Sequence, residues 1–190
     1  MIIKSEQEML QFGEDFAKEI IKPTGNLNSI FRDISRPTGS ELARSPVTDR
    51  PLRRGRPVGS TGATKHVEKD IIKLPTEATI IELIGDVGTG KTTFTRGLAK
   101  GLGVKNPITS PSFTISKSYA LPTGGHLIHY DFYRLPDPGL MADDLQENLA
   151  NPKNIIIIEW GESIKDILPK NHIKIKIEYN DADSRILSIQ

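Results

Sequence analysis

The chain has 190 residues, no cysteine, 25 Lys or Arg against 24 Asp or Glu, and a formal net charge of +1. That length fits one ordinary domain, the missing cysteines exclude disulfides and thiolate metal sites, and the near-zero charge demands no polyanion partner of the chain as a whole. The apolar runs are too short to cross a bilayer, and Met1-Ile2-Ile3-Lys4-Ser5-Glu6 lacks the charged-then-apolar order of a signal peptide, so a cytoplasmic protein without a membrane role is expected.

Ser5-Glu6-Gln7-Glu8 has the pattern of a capping box, and Met9, Phe12, Phe16 and Ile20 follow at helical spacing. An amphipathic helix is expected from about Ser5 to Lys22, stopped by Pro23. From Thr24 to Asp70, Pro, Gly, Ser, Thr and Arg dominate and the apolar residues keep neither a period of two nor one of 3.6, as in a disordered segment. This stretch holds nine Lys or Arg against five Asp or Glu, a local charge of +4, with four arginines in Arg50-Pro51-Leu52-Arg53-Arg54-Gly55-Arg56-Pro57. The chain thus divides into an N-terminal helix (1–23), a basic insert (24–70) and a core (71–190).

Thr79-Ile80-Ile81-Glu82-Leu83-Ile84 is short, β-branched and bounded by Pro75 and Gly85, which suits a buried strand. Gly85-Asp86-Val87-Gly88-Thr89-Gly90-Lys91-Thr92 completes the pattern G-x-x-x-x-G-K-[ST] of a phosphate-binding loop. Phe94, Leu98 and Leu102 then stand four apart, with Gly101 and Gly103 as stop signals, so a helix starts within the motif and points its N-terminus at the loop. Glycines let successive N–H groups converge on phosphate oxygens, Lys91 adds a full charge for the β and γ phosphates, and the Thr92 hydroxyl can ligate Mg²⁺. Asp86, Val87 and Thr89 contribute mainly backbone, and Thr93 follows in the first helical turn.

Downstream, 113–119 alternates, 127–133 is apolar and aromatic, and 154–160 carries the strongest buried-strand signal. A short helix is expected over Asp143 to Leu149. Ile173 to Tyr179 alternates strictly, as a half-buried antiparallel strand near a sheet edge would, with 186–189 as its hairpin partner. The fold class is therefore a three-layer, P-loop NTPase-like α/β fold with a mixed, mainly parallel sheet and an antiparallel C-terminal hairpin.

A phosphate loop needs a carboxylate at the end of a neighbouring strand to hold Mg²⁺ opposite the Thr92 hydroxyl, and Glu159, after four isoleucines, meets that need. Asp131 lies in an apolar strand where an unpaired carboxylate is costly, so it needs a cation, a donor or water. It either orients the attacking water or completes the Mg²⁺ shell through water; the structural alternative is an ion pair with Arg134 or His129. His129 by itself reads as a hydrogen-bonded structural residue. Thr109-Ser110-Pro111-Ser112-Phe113-Thr114 is a hydroxyl-rich bend placed where a γ-phosphate sensor would sit, or a plain turn. Trp160 stacks on a base or packs under the sheet.

Three segments, GDVGTGKTTFTRGLAKGLG, TSPSFTI, and HYDFYRL with IIIIEWGE, together give a chain that resembles the TsaE family of small P-loop ATPases. The resemblance implies ATP binding and slow, Mg²⁺-dependent hydrolysis within a complex with TsaD-type and TsaB-type proteins, in support of the threonylcarbamoyl modification of tRNA adenosine 37. The tRNA would be engaged indirectly. It also implies phosphate and Mg²⁺ roles for Lys91 and Thr92, a Mg²⁺ carboxylate in Glu159, a need for Asp131 in hydrolysis, and nucleotide contacts by Glu6 and Arg185. The insert at 24–70 departs from the family pattern.

Two rival functions stand beside this. A small-molecule kinase usually carries an arginine-rich lid, whereas Arg134 and Arg185 are the only arginines beyond the loop's helix. A nucleic-acid-binding ATPase would work through the insert, where Arg54-Gly55-Arg56-Pro57 matches an A·T-hook core; a flexible basic linker explains the same four residues. GTP is disfavoured because no N-K-x-D tetrapeptide is present.

Overall fold

The computed structural model describes residues 1–22, 76–133, 135 and 137–190; the insert read at 24–70, together with Pro23 and Arg134, lies outside them. Ser5, in an extended conformation, caps helix α1 (Glu6–Ile20), its hydroxyl accepting from the Glu8 N–H at 3.1 Å. The returning arm of the expected capping box closes one residue further back, where a Glu8 carboxylate oxygen accepts from the Lys4 N–H at 2.7 Å. Met9, Phe12, Gly13, Phe16 and Ala17 form the buried face of α1, as the spacing requires.

That face lies on α2 (Lys91–Gly101), where Phe94 meets Phe12 and Phe16 with ring centroids 5.8 and 5.6 Å apart. The two backbones come unusually close: a Cβ added to Gly97 would stand 2.1 Å from the Leu10 carbonyl oxygen, and one on Gly101 would stand 2.6 Å from the Ala17 Cβ. Gly101 is therefore a contact residue inside the helix, and only Gly103, at φ +77°, serves as the stop signal expected of both.

Among the described residues seven strands form one sheet in the order β1-β7-β6-β2-β5-β4-β3: β1 (Ile2–Ile3), β2 (Thr79–Ile84), β3 (Ser116–Ala120), β4 (His126–Asp131), β5 (Ile155–Glu159), β6 (Ile173–Tyr179) and β7 (Arg185–Ile189). The four central strands, β6, β2, β5 and β4, run parallel, while β3, β7 and β1 pair antiparallel with their neighbours. Alternation divides the core: Ile155 and Ile157 face α1 and α2, whereas Ile156 and Ile158 face α3 (Leu140–Leu149) with Leu145 and Leu149. Burial of those four isoleucines contributes roughly 6–12 kcal/mol on an extended-chain reference, which is an upper bound. The result is the expected three-layer arrangement.

Several expectations shift in detail. The strand read at 113–119 begins only at Ser116, because Ile115 adopts φ +65° and the residues before it turn back on Pro111. That at 127–133 ends at Asp131, and that at 154–160 ends at Glu159. Ile173–Tyr179 is internal, flanked by β2 and β7; its hairpin partner is as expected, but Ile2–Ile3 takes the edge. Helix α3 starts three residues early, at Leu140, whose 85 % exposure explains why no apolar face marked its first turn. No helix among the described residues is long and apolar enough to cross a membrane.

Candidate nucleotide site

The glycine loop leaves β2 hard against β6. A Cβ on Gly85, at φ +152°, would stand 2.2 Å from the Ile177 carbonyl oxygen, so only glycine fits there. The loop is braced from within by Thr89, whose hydroxyl donates to the Asp86 carbonyl at 2.9 Å, and from outside by Tyr179, whose hydroxyl donates to the Val87 carbonyl at 2.9 Å. Thr89 is buried and Val87 is exposed. Gly90, at φ +108°, opens α2 without a side-chain cap. The first N–H groups of that helix have no partner within it and carry about half a positive charge. Lys91, 5 % exposed, donates to the Gly85 and Asp86 carbonyls at 2.7 and 3.0 Å and stands 4.8 Å over the Trp160 ring.

The two carboxylates sit at the carboxyl ends of β4 and β5, with Asp131 directly opposite Glu159 and Glu159 opposite Leu83. Both are at least nine-tenths buried. Glu159 Oε1 accepts from the His129 ring at 2.9 Å, and Oε2 lies 3.7 Å from the Lys91 ammonium. Asp131 accepts from the Ser112 hydroxyl at 2.5 Å and from the Tyr133 N–H at 3.0 Å, so its burial is compensated by donors. The ion pair with His129 weighed as an alternative is not formed, since that ring is turned to Glu159. Ser110 extends the chain with a hydroxyl 2.7 Å from that of Ser112. Lys91, Thr92, Ser112, Asp131 and Glu159 all line one cavity of about 530 Å³. Glu159 is thus on the same side of the sheet as Thr92.

This donor set suits Mg²⁺. Among the described residues no three His, Cys, Asp or Glu side chains converge into a metal cage, and Mg²⁺ needs none, being held by one or two protein oxygens together with substrate phosphates. Thr92 and Glu159, which line the same cavity, would supply such oxygens.

Glu6 and Arg185 do not enter that cavity. With Gly88, Gly90 and Thr93 they line an adjoining recess of about 270 Å³. Arg185 stacks 4.3 Å over Tyr179, and Glu6 lies 3.8 Å from the Arg96 guanidinium. Asp86 borders a third recess, of about 450 Å³, shared with Trp160 and Glu82. Trp160 adopts φ +59° and packs against Tyr133 with centroids 4.8 Å apart. Three site contacts escaped the sequence reading: the His129 bond to Glu159, the Ser112 bond to Asp131, and the Tyr179 brace, whose only trace was its place at the end of an alternating strand. Tyr130, between His129 and Asp131, points the other way and donates to Asp144 at 2.6 Å; burial, helped by that carboxylate, pushes its phenol well above the usual range.

The mixed, mainly parallel sheet and its strand–glycine loop–helix unit define a P-loop NTPase-like α/β protein. The chain belongs to the TsaE family, whose model, described as "Threonylcarbamoyl adenosine biosynthesis protein TsaE", matches residues 58–187. Relatives named as tRNA threonylcarbamoyladenosine biosynthesis protein TsaE include one from Haemophilus influenzae, 38% identical over 66% of this chain and 78% of its own length. Another, from Streptomyces coelicolor, is 34% identical over 63% and 82%. Among solved structures, Bacillus subtilis YdiB is 34% identical, with a TM-score of 0.44 over 60% of this chain and 68% of that one.

Proposed function

We propose that this protein is a cytoplasmic, Mg²⁺-dependent ATPase that binds and slowly hydrolyses ATP in support of the threonylcarbamoyl modification of tRNA adenosine 37, in a complex with TsaD-type and TsaB-type proteins. The observation that carries this reading is the convergence of Lys91, Thr92, Asp131 and Glu159 on one cavity at the N-terminus of α2, in a member of the TsaE family. The loop N–H groups and Lys91 take the β and γ phosphates, while Glu6 and Arg185 serve the rest of the nucleotide from the adjoining recess. Thr92 and Glu159 would hold Mg²⁺, which when bound would neutralise phosphate charge. Asp131, kept in place by Ser112 and the Tyr133 N–H, orients the attacking water.

The cavity rim supports partner dependence. Val87, Phe113 and Tyr133 line it with 66 %, 91 % and 50 % exposure, an apolar edge that a docked protein would cover while excluding water. The deciding experiment is co-purification with TsaD-type and TsaB-type proteins with and without ATP, alongside turnover of the isolated and assembled protein. The expected result is ATP-dependent association and slow isolated turnover that rises in the complex. Rapid partner-free turnover, or no association under either condition, would sink the reading.

A further inference from the structure

We infer that His129 is the positioning residue for Glu159: it caps one carboxylate oxygen from beneath, so that Glu159 presents the other oxygen to the phosphate cavity. His129 lies on β4 two residues before Asp131, on the same face, with Ile157 opposite it in β5. Its side chain is wholly buried and does not line the cavity. Nε2 meets Glu159 Oε1 at 2.9 Å, whereas Nδ1 has no hydrogen-bond partner among the described residues. A carboxylate only accepts, so Nε2 carries the proton that bridges the pair, while Nδ1 is left without a partner in the core; the proton on Nε2 is assigned from the hydrogen-bond network.

A buried ring nitrogen without a partner is unfavourable, and an apolar side chain of similar size, such as Leu127 two residues earlier in the strand or Ile157 opposite, would remove the problem. What the imidazole contributes instead is one N–H aimed at Glu159. Without it, Oε1 of a carboxylate that is 4 % exposed would lack a donor, and the long side chain would be free to change rotamer. With it, Oε2 is left 3.7 Å from Lys91, too far for a hydrogen bond and free to take a cation or a water. His129 thus acts through Glu159, as the outer partner of a metal-holding group does.

This inference rests on the ATPase reading above, and the test separates the two. In the nucleotide-free protein, long-range nitrogen–proton NMR correlations of the histidine rings should show His129 with a proton on Nε2, its Nε2 resonance moved by Glu159→Gln. An Nε2 without a proton overturns the inference. In Mg²⁺ titrations at saturating ATP, followed by Trp160 fluorescence, His129→Leu should raise half-saturating Mg²⁺ about 10-fold or more and lower kcat by a similar factor, with the KM for ATP unchanged. His129→Gln, whose amide supplies an N–H near the same place, should restore most of both. Wild-type Mg²⁺ dependence in His129→Leu overturns the inference, as does equal loss in the Leu and Gln variants. If the Leu variant does not fold, the Nε2 proton and the Gln titration decide: near-normal Mg²⁺ dependence supports it, and a 10-fold loss overturns it. Absence of ATP binding by the wild type sinks the ATPase reading, whereas normal wild-type binding with an insensitive Leu variant sinks only this inference.

Discussion

Gly97→Ala sets two physical effects against each other with opposite signs. Helix propensity alone favours alanine over glycine by about 1 kcal/mol in a helix interior. Against it stands the close approach of α1, which puts the new Cβ 2.1 Å from the Leu10 carbonyl oxygen, about 0.9 Å inside the nearest approach a Cβ tolerates. The obstacle is main chain, so no rotamer change relieves it and α1 must move off α2. Overpacking costs about 1–3 kcal/mol, and a backbone obstacle belongs at the upper end, leaving a net loss of about 2 kcal/mol. For a protein of this size that lowers Tm by about 4–8 °C. Thermal and urea melts of the two proteins measure it directly. A Gly97→Ala protein with raised Tm would refute the packing argument, because it would mean that propensity outweighs the helix contact.

Further outcomes follow from the site. Lys91→Ala should weaken ATP binding at least about 100-fold, or roughly 2.7 kcal/mol, by calorimetry, since it removes a buried charge from the phosphate cavity; unchanged affinity would exclude the loop as the phosphate site. Asp131→Asn and Glu159→Gln should keep ATP binding while losing most turnover, and full turnover in both would remove them from the chemistry. Tyr130→Phe should cost about 1.5–3 kcal/mol near pH 8, because a buried bond to the Asp144 carboxylate is lost. Its phenol titrates higher folded than unfolded, so the stabilisation is complete below about pH 10 and is lost as pH rises toward the folded value, by about 1.4 kcal/mol per unit. The gap between wild type and Tyr130→Phe in urea melts should therefore shrink above pH 10; a gap constant to pH 11.5 would contradict this.

Much of the architecture was legible because its signals are local. Thr79–Ile84 and Ile173–Tyr179 have the bounds that periodicity and flanking residues gave them, and α1 follows from its cap and apolar spacing. The loop and its following helix were equally plain, because the glycines and the lysine must stand in fixed order. Where the reading failed, distant parts of the chain decide. Ile115 looks like a strand residue and turns instead, its carbonyl accepting from the Asp131 N–H. Gly101 looks like a terminator and is instead a point of contact with Ala17, 84 positions earlier. The partners of Asp131 and Glu159 were hidden for the same reason: Ser112 becomes meaningful only when the bend before β3 is brought against β4, and His129 only when β4 and β5 lie side by side.

The ladder that aligns Leu83, Glu159 and Asp131 in one row also fixes what kinds of change the protein tolerates. Exchanging one isoleucine of β5 for valine trims a methylene group and little else. Deleting one inverts everything after it, so that the carboxylate of Glu159 would emerge beneath α3 and the indole of Trp160 would take its place beside Lys91. Such a chain could still build its sheet while carrying its acidic group in the wrong compartment of the molecule. Length, more than composition, is the inherited constraint on that segment.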